Sequence, residues 1–131
     1  MPEMTKQRPK HLALHQIRLP LAGYASILHR VSGAGLFLML PLLIWLLQLS
    51  LGSTQENVAL FAAVTGNLFI KLILLGLLWA FLHHFCMGIR ILLIDIHVGV
   101  EKQQAHSSAV AVMVISLALT AVLGLKLLGA Y

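Results

Sequence analysis

Ser26, His29, Arg30 and Gly33 are spaced i, i+3, i+4 and i+7. On a helix that spacing lines up a hydroxyl, an imidazole, a guanidinium and a bare patch of backbone. The guanidinium is always cationic. The glycine lets a bulky planar group or another helix come close. A second set follows: His83, His84, Gly88, Arg90 and Asp95. A neutral imidazole in such a place is a natural axial ligand for haem iron. His84 precedes Arg90 by about 9 Å of helical rise, which puts it just inside an apolar zone whose edge Arg90 marks. Gly88 lies one turn from His84 on the same face and leaves room for a macrocycle, while Arg90 and His29 suit its acidic propionates. Adjacent side chains point about 100° apart on a helix, so His83 and His84 cannot readily serve one iron. Each set also has a plainer reading. Arg30 and His29 are then interfacial anchors, and His84 a hydrogen-bonded intramembrane histidine.

The elements that must carry these residues are apolar. The runs 31–55, 72–89 and 103–125 contain no charge, and each meets or approaches the roughly 20 residues a helix needs to cross a bilayer. The chain has 131 residues, 60% hydrophobic and 10% charged, whereas a soluble domain carries about a quarter charged residues. That excludes an aqueous globule. The expectation is an all-α membrane protein with three transmembrane helices and a single domain, 1–131. It comprises a polar segment 1–20 and helices over approximately 21–51, 62–94 and 106–128. Pro2, Pro9 and Pro20 interrupt the polar segment, Pro20 suits the opening of the first helix, and Pro41 is expected to kink it. Ser116, Thr120 and Gly124 recur every four residues. They form either a stripe for close helix contact in lipid or an ordinary scatter of small residues. Cys86 is the only cysteine, so no intrachain disulfide forms.

The net charge of +5 is placed for topology, not for nucleic acid. Lys6, Arg8, Lys10, Arg18, Arg30, Arg90 and Lys102 fall on one side of the expected spans, and Lys71 and Lys126 on the other. Positive residues collect on the cytoplasmic side, which predicts a cytoplasmic N-terminus and an outward C-terminus. The first span is too long for a signal-peptide core and lacks a small-residue cleavage site. A bacterial cytoplasmic (inner) membrane is expected.

Ser26-Ile27-Leu28-His29-Arg30-Val31-Ser32-Gly33, joined to His84-x-x-x-Gly88-Ile89-Arg90 with Asp95 beyond, resembles the cytochrome b subunit of succinate dehydrogenase. That is the large membrane anchor of respiratory complex II. Upstream, Lys6-Gln7-Arg8-Pro9 and Gln16-Ile17-Arg18-Leu19-Pro20 resemble its bacterial form. The resemblance implies that His84 is the axial ligand of haem b, with the second ligand from a smaller anchor subunit, and that His29 contacts a haem propionate. It implies that Ser26 and Arg30 line the ubiquinone site, and that an iron–sulphur subunit and a flavoprotein complete the assembly. The three helices would then form part of a haem- and quinone-binding bundle with the sister anchor. A family member has a histidine directly after the matching arginine; this chain has Ile91. His83 stands where the family often has an aromatic residue. Two other readings stay open, a haem-free structural anchor and a small membrane transporter.

Overall fold

The computed structural model describes residues 8–129; Lys6 and Gln7 of the upstream motif lie outside them. A short 3-10 turn at Leu14–Gln16 precedes four helices: α1 (Leu21–Leu51), α2 (Gln55–Gly66), α3 (Leu68–Asp95) and α4 (Lys102–Leu127). Among the described residues there is no strand. Pro20 stands immediately before α1 with φ −67°, the value its ring imposes and one suited to entering a helix. α1 runs unbroken through Pro41.

The expected second helix, 62–94, is divided in two. Gly66 ends α2, and Asn67 takes an extended conformation (φ −68°, ψ 129°). The Asn67 Oδ1 then accepts from the backbone N–H of Phe69 at 2.9 Å and of Ile70 at 3.4 Å, starting α3 afresh. An asparagine at this position satisfies orphan amides that an apolar residue would leave bare. Glycine on its N-terminal side weakens any continuous helix through the junction. Thr54 opens α2 in the same manner, its hydroxyl accepting from the Asn57 N–H at 3.2 Å.

α1, α3 and α4 are each long and apolar enough to cross a bilayer, whereas α2 has 12 residues. α3 lies between α1 and α4. The turn joining α3 to α4 contains His97 (φ 62°) and Gly99 (φ 76°) in left-handed conformations. The core is narrow and formed from small or flexible residues: Ala25, Met87, Ala109 and Val112. Alanines let the three helices approach closely, and methionine fills the irregular gap between them. The stripe on α4 faces α3. Ser116 and Gly124 are buried, and the bare Gly124 Cα admits the end of Leu75. At most 22% of any spanning segment is buried inside this chain. The rest of the apolar surface meets lipid or another protein, as in a multi-pass membrane protein.

Candidate functional site

The two motifs meet where α1 packs against α3. His84 of α3 and His29 of α1 stack with ring centroids 4.1 Å apart and planes 10° from parallel. His84 Nδ1 lies 3.0 Å from the His29 carbonyl oxygen. A carbonyl only accepts, so Nδ1 carries the proton and Nε2 keeps its lone pair. Ser32, buried on α1, reinforces the arrangement. Its hydroxyl donates to the same carbonyl at 2.9 Å, leaving Oγ as a second acceptor 3.3 Å from His84 Nδ1. The tautomer is thus set by the backbone of a different helix. Nε2 has no hydrogen-bond partner among the described residues. This is the form a metal-binding histidine takes, with one nitrogen tied back and the other open.

Gly33 makes the contact possible. A methyl added there would lie 2.8 Å from His84 Cε1, so any larger residue pushes the ring out of place. The bulky planar group that Gly33 admits is the His84 imidazole. At Gly88, one turn along the His84 face, an added Cβ would meet nothing within 4 Å. That side of α3 is open space in this chain.

His83 is placed differently. It is fully buried, and its Nε2 lies 3.3 Å from the Ala25 carbonyl oxygen, so Nε2 is the protonated nitrogen. Only Nδ1 retains a lone pair. That atom is buried without a partner, and the His83 ring stacks on Trp79 with centroids 5.2 Å apart. An iron outside the bundle cannot reach it. The two histidines therefore grip α1 carbonyls one helical turn apart, at Ala25 and His29, and they frame the turn that carries Ser26.

Ser26 is half-buried and Arg30 exposed, on the α1 face next to His29. Among the described residues neither side chain makes a hydrogen bond or ion pair, so both are available to a ligand. Arg90 is not brought to this group. Its Nε donates to Ser108 Oγ at 2.9 Å and its Nη2 to the Ala105 carbonyl oxygen at 3.1 Å, both on α4. The helical reason is simple: Arg90 follows His83 by seven residues, which returns it to the buried face of His83 and not to the face of His84. Asp95 closes α3 as an exposed residue. Sequence reasoning missed the roles of Ser32 and Ser108. The available signals were a hydroxyl three residues after His29 and a serine near the start of the helix that follows Arg90.

Residues 4–123 match the family of succinate dehydrogenase/fumarate reductase transmembrane subunits. The chain is similar to several proteins named succinate dehydrogenase cytochrome b556 subunit. That of Coxiella burnetii is 34% identical over 113 residues, covering 86% of this chain and 90% of the relative. That of Paracoccus denitrificans is 36% identical over 106 residues, 81% of each. That of Rickettsia felis is 33% identical over 121 residues, 92% of this chain and 94% of the relative.

Proposed function

The chain belongs to the succinate dehydrogenase/fumarate reductase transmembrane subunit family, and on that premise we propose that it binds haem b and helps to form a ubiquinone-reduction site. The observation that carries the reading is His84: Nδ1–H is held by the His29 carbonyl and Nε2 is open. Its partners in this reading are a smaller membrane anchor, which would supply another ligand to the iron, an iron–sulphur subunit and a flavoprotein. The setting is a bacterial inner membrane with the N-terminus in the cytoplasm, from the charge bias of Arg8, Lys10, Arg18, Arg30, Arg90 and Lys102.

Haem b, when bound, supplies a one-electron carrier next to the quinone site. His84 Nε2 would hold its iron, Gly88 would leave space for its ring, and His29 would meet a propionate. Arg90 enters as the fastener of α3 to α4; a direct contact with the haem would require its Nε and Nη2 to leave Ser108 and Ala105. Ser26 donates a hydrogen bond to a quinone carbonyl oxygen. Arg30 places a fixed positive charge beside that oxygen as negative charge develops on it.

The test is to compare two activities of one assembled, haem-replete complex. Arg30→Leu removes a preorganised charge, worth on the order of 3 kcal/mol of barrier, so quinone reduction should fall about a hundredfold. Ser26→Ala should cost less. Succinate oxidation by a water-soluble acceptor should survive both changes. Equal losses in the two activities would place the damage in assembly, and undiminished quinone reduction in Arg30→Leu would remove this residue from the site.

A further inference from the structure

Lys71 and Lys126 are the two cations that the charge bias leaves at the far end of the bundle, away from the histidines. They sit on different helices, near the start of α3 and the end of α4. Both line a single cavity of about 670 Å³, roofed by Phe61 and Thr65 of α2 and walled by Leu46 and Ser50 of α1. Neither ammonium has an ion pair or hydrogen bond among the described residues. Snorkelling would account for either lysine alone. It does not account for the convergence of both on one pocket, on the side where positive charge is depleted.

A second cavity adjoins it on the bilayer side. Leu74 and Leu127 line both, and the other walls of this second cavity, of about 420 Å³, are wholly apolar, from Leu43 and Leu78 down to Phe81 and Leu36. A cationic mouth at the headgroup level, with an apolar trough next to it below, has the polarity profile of a phospholipid. We propose that this end of the bundle binds one anionic phospholipid, its phosphate on Lys71 and Lys126 and one acyl chain along the trough. Two ammonium groups select an anionic headgroup over a zwitterionic one, whose own amine they repel. A neutral quinone gains less from them than an anion does, since it brings no charge to pair. The inference rests on the transmembrane reading and is independent of the haem and quinone assignments; the N-in orientation decides only which leaflet supplies the lipid.

The experiment is native mass spectrometry of the delipidated whole complex, with dioleoyl phosphatidylglycerol or dioleoyl phosphatidylethanolamine added back. Phosphatidylglycerol should be retained severalfold better. The paired change Lys71→Gln with Lys126→Gln should abolish that preference at this site, while Lys71→Arg with Lys126→Arg should keep it. Leu78→Trp, which fills the trough and leaves both cations, should lower retention of both lipids. The haem spectrum should be unchanged throughout, which separates failure here from failure of the haem reading. Equal retention of the two lipids by the unaltered complex would overturn the proposal, as would an undiminished preference in the Gln pair. Displacement of the lipid by inorganic phosphate alone or by a short-chain ubiquinone, or side chains of another subunit seated in the trough, would equally overturn it.

Discussion

At the scale of single residues, two neighbouring histidines have opposite assignments because one nitrogen of each is committed to α1. His84→Leu should remove or convert the low-spin haem signal in a reduced-minus-oxidised spectrum, since it takes away the Nε2 left open by the bond from Nδ1 to the His29 carbonyl. His83→Leu should keep that signal and lower stability by about 1 kcal/mol, the worth of one neutral hydrogen bond, from the lost contact to Ala25. The reverse pattern would exchange their roles. Gly33→Ala gives a finer test, because the added methyl meets a ring that is held by both a hydrogen bond and a stack. Haem should be lost more readily from that variant during dialysis. Gly35→Ala, whose methyl meets nothing within 4 Å, should behave as the parent; similar haem loss from both would mean a general effect on α1. The chain order alone showed that Ser26, His29, Arg30 and Gly33 share a face. It did not show that the face would be met by His84, because that depends on how α3 rotates against α1.

At the scale of elements, α3 is fixed on both sides by polar contacts in an otherwise apolar interior. Toward α4 the fastening is Arg90, buried and bonded to Ser108 and Ala105. Ser108→Ala leaves a buried guanidinium nitrogen without its side-chain partner, a loss of about 1.5–3 kcal/mol for a hydrogen bond to a charged group. Thermal loss of the haem absorbance from the assembled complex should therefore begin at lower temperature. Ser107→Ala, at an exposed neighbour, should change it little, and a matching drop in both would dissociate the effect from Arg90. The junction at Asn67 was legible only as a choice of start for the second helix, at Leu60 or at Gly66. That two helices meet there was not, because a window average cannot register one side-chain oxygen capturing two backbone amides. The three spans were legible because charge-free length is imposed by the bilayer itself, whatever the local packing.

At the scale of the whole molecule, charge placement decides orientation and shape decides what must cover the surface. A periplasm-active reporter fused after Tyr131 should be active and one inserted at 96–101 inactive; the opposite result would invert the membrane assignment. The sparse core follows from the solvent, since helices in lipid gain little by hiding apolar side chains from one another. Small residues and a few polar ties therefore carry the packing, and such ties are the part of a site that pattern reading resolves least. The tie from His84 to the His29 carbonyl has a further consequence, one of timing. A histidine on an isolated α3 exchanges its proton freely between its two nitrogens, and nothing distinguishes the outward one. Only after the hairpin of α1 and α3 has closed is the proton parked on Nδ1 and the other nitrogen left ready. That open nitrogen is therefore a feature the newborn chain acquires late, so anything that sampled it would in effect be checking whether two distant stretches of polypeptide had already found each other.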